Sequence, residues 1–261
     1  MGVLGDTTAL VTGASQGIGR GIARTFGGYG ASVVCAARSR DAIEETADMV
    51  AEAGGEAVAV ETDVTDEDDV AAVVEATVDE FGGLDCLVNN AGIGGPVDPV
   101  HRVDADEFRY TQEVNVVGPF LCAKHAERHL RESDRGSVVN IGSIGGKRPY
   151  PNRLAYAASK MALIGMTRTL AYELGRDGVT VNTVLPGPIQ GPRLEEVAAK
   201  QAEIADVERA EPVDLGTDDF ALPDFLMDAA EVAEQVAYLA SERGRHVTAQ
   251  EIGVDAGGTW Y

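Results

Sequence analysis

Short apolar runs rich in β-branched residues alternate with segments of helical period along nearly the whole chain. The runs predict strands at Thr7–Val11, Ser32–Ala37, Ala57–Glu61, Leu84–Asn89, Ser137–Ile141, Thr180–Leu185 and Gln250–Val254. Helices are predicted at Ile18–Tyr29, Asp41–Ala53, Asp66–Phe81, Asp104–Arg131, Ala155–Arg176 and Ala229–Ser241. Several start at or just after an Asp that can cap the first turn. Strands this uniformly apolar are buried on both faces, as in a parallel sheet with helices above and below it. The expected architecture is a single doubly wound α/β domain over residues 1–261, with about seven strands. Ligand is then expected beyond the carboxyl ends of the strands, where the strand order reverses. Residues Gln190–Asp228 break the alternation with Pro192, Pro212, Pro223, acidic clusters and a helix-like piece at Leu194–Val207. So long an excursion inside a compact domain reads as a lid or binding loop.

Charge changes the picture of what such a domain meets. Asp and Glu number 43 against 21 Lys and Arg, a net charge of −22. That field repels nucleic acid and anionic membrane, and neither is expected as a partner. Lysine is confined to Lys124, Lys147, Lys160 and Lys200. Acid excess with scarce lysine resembles proteins of high-salt cytoplasm, where counterions screen the repulsion. No apolar run approaches the ~20 residues of a membrane-spanning helix. The segment Met1–Asp6 lacks the basic region of a secretory signal, so a soluble, cytoplasmic protein is expected. Cys35, Cys86 and Cys122 each sit in an apolar stretch, which predicts buried thiols in a reducing compartment. His125 and His129 are four apart, but Ala126 stands where a zinc-protease helix needs its Glu, and no metal is expected.

The first predicted strand runs into Thr12-Gly13-Ala14-Ser15-Gln16-Gly17-Ile18-Gly19-Arg20, with a helix behind it. Glycines so placed permit a sharp turn, close approach of a pyrophosphate and tight packing of helix on strand. The helix start adds free N–H groups and partial positive charge. Further along, Tyr156 and Lys160 are four apart on a predicted helix and share a face. A tyrosine of ordinary pKa, ~10, is a poor base at neutral pH, and a nearby ammonium favours its phenolate form.

Thr12–Gly19, Asn89-Asn90-Ala91-Gly92, Asn115, Ser143, Tyr156-Ala157-Ala158-Ser159-Lys160 and Pro186-Gly187 occur in the order and spacing of the short-chain dehydrogenase/reductases. The resemblance spans essentially the whole chain. It implies a Rossmann-type domain, a nicotinamide cofactor and hydride transfer at a carbinol or carbonyl carbon. Tyr156 is then the acid/base, Lys160 its charge partner, Ser143 the group that orients the substrate oxygen, and Asn115 the holder of a relay water. Gly13, Ser15, Gln16, Gly17, Ile18 and Gly19 are implied at the pyrophosphate, Asp63 and Val64 at the adenine, and Asn90 and Gly92 beside the ribose. Pro186, Gly187 and Ile189 are implied at the nicotinamide, which Tyr156 and Lys160 also reach. A homotetramer built on the two long helices is the family expectation.

The coenzyme is read at the end of the second strand, where an acid would bind a ribose 2′-hydroxyl and repel a 2′-phosphate. Ala37 stands there, followed by Arg38, which favours NADP over NAD. An NAD-dependent sugar or polyol dehydrogenase, a 3-oxoacyl thioester reductase and a non-catalytic redox sensor remain open beside an NADP-dependent enzyme of secondary alcohols or ketones. Between Ser143 and Tyr156 the chain holds Lys147, Arg148 and Arg153 and no acid, and Arg193 lies in the lid. These cations form either a receptor for an acidic small-molecule substrate or a loop paired with the acidic surface.

Overall fold

The computed structural model describes residues 2–204 and 220–259. Its strands are β1 (Thr8–Thr12), β2 (Ser32–Ala37), β3 (Glu56–Glu61), β4 (Cys86–Asn89), β5 (Ser137–Ile141), β6 (Thr180–Pro186) and β7 (Glu251–Val254). They form one seven-stranded sheet in the order β3-β2-β1-β4-β5-β6-β7, and each neighbouring pair is parallel. The order reverses between β1 and β4, so the crevice for ligand opens at the carboxyl ends of those two strands.

The helices are α1 (Gly17–Gly28), α2 (Arg40–Glu52), α3 (Glu67–Phe81), α4 (Ala105–Gln112), α5 (Gly118–Glu132), α6 (Leu154–Leu174), α7 (Pro192–Ile204) and α8 (Ala229–Ala240). Strand side chains alternate between two cores. Ala9, Val11, Val33, Cys35, Cys86 and Val88 pack with α1, α2 and α8, while Leu10, Val34, Ala36 and Leu87 pack with α3, α5 and α6. This two-sided burial is why the strands carry no polar face. The three thiols are buried and unpaired, and burial pushes each of them up to about 12.

A chain of buried polar groups crosses the second core. Asn89 Nδ2 donates to Asn140 Oδ1 at 2.9 Å, Asn140 Nδ2 donates to Thr167 Oγ1 at 2.8 Å, and the Thr167 and Thr183 hydroxyls are hydrogen-bonded to each other at 2.6 Å. It ties β4, β5, α6 and β6 into one register, since any slip would strand these groups in an apolar core.

Strand and helix limits fall within two residues of the sequence expectation except in two places. The helix expected over Asp104–Arg131 is interrupted by a π-helical segment, Glu113–Val117, between α4 and α5. Pro119 at the start of α5 has no N–H to continue an α-helical ladder, and one extra residue per turn is invisible to a 3.6-residue period. In the segment 190–228, the helix expected at Leu194–Val207 is α7, which already begins at Pro192; Val207 and Pro212 lie outside the described residues. His125 and His129 each face glutamates, Glu67 at 3.1 Å and Glu75 at 3.5 Å. Among the described residues, no helix is long and apolar enough to cross a membrane.

Candidate active site

The turn after β1 is shaped by what surrounds it. Asn90 Nδ2 donates to Thr12 O at 2.9 Å and Gly13 O at 3.0 Å, and the main-chain N–H groups of Asn90 and Ala91 both donate to Thr12 Oγ1 at 3.1 Å. The loop after β4 is thus stapled to the loop after β1, and Asn90 acts through the shape of the glycine turn. Arg20 holds the same turn from α1, donating to Ser15 O at 2.7 Å. A side chain at Gly19 would sit 2.3 Å from Gly13 O, so only glycine lets α1 start this close.

The start of α1 is bare. Gln16 at its N-cap makes no side-chain bond and its first turn has no acid, whereas α3 is capped by Asp66 and followed by Glu67, Asp68 and Asp69. Gly17 stands at φ +56° with open space where a Cβ would project. Unsatisfied N–H groups, partial positive charge and an uncovered backbone make a cradle for a pyrophosphate, and the residues present fit a dinucleotide. Ser15, Gln16 and half-buried Ile18 complete the turn.

Ala37 closes β2, and exposed Arg38 donates from Nη1 to the Tyr110 hydroxyl at 3.2 Å. Asp63 Oδ1 accepts from Thr65 N at 3.0 Å and Thr65 Oγ1 at 2.8 Å. Burial pushes the Asp63 carboxyl up, but the Thr65 bonds and the charge of Arg38 outweigh it and leave the group below its usual range. Val64 is buried against α5, where a Cβ on Gly118 would meet it at 2.9 Å. At the far side Pro186 ends β6, and Gly187 N donates to Val254 O at 2.9 Å. Ile189 bridges to Met227, which brings together the two flanks of the segment 190–228.

Tyr156 and Lys160 lie one turn apart on α6. Lys160 is only 5% exposed; its Nζ donates to Ile141 O at 2.8 Å and lies 5.8 Å from the Tyr156 ring centre. Burial, with repulsion from Arg193 second, pulls the Lys160 amine down to about 7. Ser143, two residues beyond the Ile141 carbonyl, accepts from Gly145 N at 3.1 Å, which keeps its own O–H for another acceptor. Asn115 lies in the π-helical segment. Its Oδ1 accepts from Ile93 N at 2.8 Å, and its Nδ2 donates to Ile93 O at 3.0 Å and Ser159 Oγ at 2.9 Å. Gly92 fits beside it, since a Cβ there would stand 3.1 Å from Asn115 Oδ1 and 3.5 Å from Lys160 Nζ.

The four cations singled out by sequence part company. Lys147 Nζ pairs at 2.7 Å with Glu251 of β7, a carboxylate shared with Arg168. Arg148 packs over Phe220 at 5.5 Å and donates to Gly258 O at 3.4 Å. Arg153, in contrast, lies 4.7 Å from the Tyr156 ring centre, and Arg193 reaches within 5.9 Å of it from α7. Three participants escape the sequence pattern: Tyr150, edge-on to Tyr156 at 6.2 Å; Tyr110, which holds Arg38; and Ser159, which bonds Asn115 and, at 2.7 Å, the carbonyl of Tyr156. Only Ser159, one residue before Lys160 in the shared motif, carried any signal.

The profile of a family described as enoyl-(acyl carrier protein) reductase matches residues 13–259. A short-chain type dehydrogenase/reductase from Mycobacterium ulcerans has a TM-score of 0.88 at 31% identity, covering 98% of this chain and 90% of that one. The chain is a short-chain dehydrogenase/reductase. The sequence is also 37% identical over 255 residues, 97% of each protein, to cis-4-hydroxycyclohexanecarboxylate dehydrogenase of Sinomonas cyclohexanicum. Carveol dehydrogenase from Mycobacterium avium, solved in complex with NAD, matches 99% of both chains at 28% identity with a TM-score of 0.92. This short-chain dehydrogenase/reductase is accordingly an oxidoreductase of alcohols or ketones with a nicotinamide-binding Rossmann fold.

The buried amine can be observed directly, because a short-chain dehydrogenase/reductase with four lysines gives a sparse ¹³C-lysine NMR spectrum. One resonance, assigned through Lys160→Met, should titrate near pH 7. Arg193→Gln should move that midpoint upward, since it removes a repelling charge. A midpoint at the ordinary ~10.4 would refute the burial argument.

Proposed function

We propose that this protein is an NADP-dependent oxidoreductase that moves hydride between the nicotinamide and an acidic secondary alcohol or ketone. The reading is carried by the Tyr156–Lys160 pair on α6, with Ser143 two residues past the end of β5 and the uncapped start of α1 following β1 at the switch point. The nicotinamide, when bound, supplies or takes the hydride. Tyr156 gives its phenolic proton to the substrate oxygen in reduction, or takes the carbinol proton in oxidation. Ser143 donates its free O–H to the same oxygen and fixes its position. Lys160, protonated, favours the phenolate left behind. Tyr156→Phe should lower kcat by ~10²–10⁴-fold while NADPH still binds by fluorescence titration, because the proton is lost and the cradle is not. Near-normal turnover would sink the mechanism.

The choice of NADP rests on Ala37 and Arg38. No carboxylate ends β2, and the exposed guanidinium beside it suits a 2′-phosphate. Ala37→Asp combined with Arg38→Ala should turn the preference toward NAD, read as the ratio of kcat/KM for the two coenzymes. A wild-type protein that already prefers NAD, the coenzyme in the carveol dehydrogenase complex, would overturn this choice.

Support for an acidic substrate comes from the two guanidinium groups beside Tyr156, and from a relative whose name specifies a hydroxy carboxylate. We also read the chain as a homotetramer, with exposed Phe120, Met161 and Tyr172 on α5 and α6 as contact residues. The acidic surface further suggests a high-salt setting. The melting temperature should then rise from dilute buffer to molar KCl, where the Debye length falls to ~3 Å; a flat profile would exclude it.

A further inference from the structure

Around the Tyr156 ring the structure collects three cations and leaves one of them incompletely bonded. Arg153 is 3% exposed. Its guanidinium lies between two aromatic rings, 5.1 Å from the centre of Tyr150 and 4.7 Å from that of Tyr156. Nη2 donates to Gly94 O at 3.0 Å, but Nε is buried with no partner. A desolvated guanidinium with an idle N–H is costly, and burial holds Arg153 below its usual pKa.

Arg193 approaches the same ring from the mouth of the site. It sits in the first turn of α7 and donates from Nη1 to Gly92 O at 3.4 Å. Both guanidinium groups also flank Gly94, where a Cβ would stand 3.3 Å from Arg153 Nη2 and 3.7 Å from Arg193 Nε. Arg193 lines a cleft of about 110 Å³ together with Gly94, Gly95, Val97 and Glu196, and Arg153 lies behind Gly94, outside its walls. Glu196, the carboxylate that faces Arg153 from α7, is paired at 3.1 Å with Lys200.

We propose that Arg153 and Arg193 form a two-guanidinium clamp for a carboxylate carried by the substrate away from its reacting carbon. Arg153 is the fixed floor, with Nε as the waiting donor, and Arg193 is the upper jaw, delivered by α7. The clamp rests on the acidic-substrate reading above and assigns it to two of the four candidate cations. Lys147 is held by Glu251, and Arg148 points its charge toward Phe220 and Gly258. A carboxylate in the clamp would satisfy the orphaned Nε and offset the mutual repulsion of the two arginines. It would also relieve the repulsion that Arg193 exerts on Lys160.

Cyclohexanecarboxylate and cyclohexanecarboxamide, which share a ring and lack a reacting hydroxyl, serve as inhibitors of the holoenzyme. The wild type should bind the carboxylate more tightly, and turn over a hydroxy acid in preference to its neutral ester. Arg193→Gln should weaken carboxylate binding roughly 10- to 100-fold and leave carboxamide binding within about twofold, as expected for loss of a charged hydrogen bond. Arg153→Lys, which keeps the charge but lacks Nε, should do the same, and a thermal melt checks that it folds. Arg148→Gln should retain the preference for the carboxylate. If the wild type prefers the acid but both clamp variants keep that preference, or Arg148→Gln abolishes it, the clamp is overturned and the acidic-substrate reading stands. If the wild type has no preference, both fall, and an oxidoreductase of neutral alcohols or ketones is left.

Discussion

A buried amine sets the terms for this site. Lys160 cannot keep a proton inside a protein without a polar partner, and the carbonyl of Ile141 at the end of β5 supplies it. That bond ties α6 to the end of β5, and the packing around it is close. A Cβ on Gly146 would stand 2.9 Å from the Lys160 main chain, and one on Gly92 would stand 3.1 Å from Asn115 Oδ1. The farther half of the same helix is held by the Asn89–Asn140–Thr167–Thr183 chain. Function here opposes stability. With its pKa lowered from 10.5 to about 7, Lys160 binds a proton in the unfolded chain more readily than in the folded one between those values. Its burial therefore weakens the fold fully below pH 7, and the penalty fades as pH rises toward 10.5.

Electrostatics repeats this opposition on a larger scale. In a chain with net charge −22, the first turns of α1 and of α6, the helix of Tyr156, hold no acid. At α3, by contrast, acids crowd the helix start. The two clearings are where anions are read to bind, one a pyrophosphate and the other a substrate group. An acidic exterior around basic interiors leaves a bound anion little to gain from any other part of the surface.

Much of this was legible from residue order. Strand faces could be assigned because both cores demand apolar residues, so Leu10 and Val11 are equally buried though they point to opposite sides. Ser143, Tyr156 and Lys160 were legible because their chemistry is local to one strand end and one helix turn. The fates of Lys147 and Arg153 were not. Both are cations of one loop, and what separates them is Glu251, 104 residues from Lys147, and a ring stack visible only in three dimensions. Asn90, implied beside the ribose, also commits its amide to Thr12 and Gly13 across the switch point, a role its residue type alone does not announce. Periodicity likewise joined α4 to α5, because it records which residues are apolar and not how the helix is wound.

That winding constrains how the protein can vary in length. The π-helical segment Glu113–Val117 inserts one residue's worth of rotation between α4 and α5. Each α-helical residue turns the chain by about 100°. Deleting one position there would restore a regular helix at the cost of its phase. Either Asn115 would swing away from Ile93 and Ser159, or the fifteen residues of α5 would rotate their apolar stripe off the sheet. Surface loops absorb insertions and deletions; this stretch of helix has a fixed reading frame.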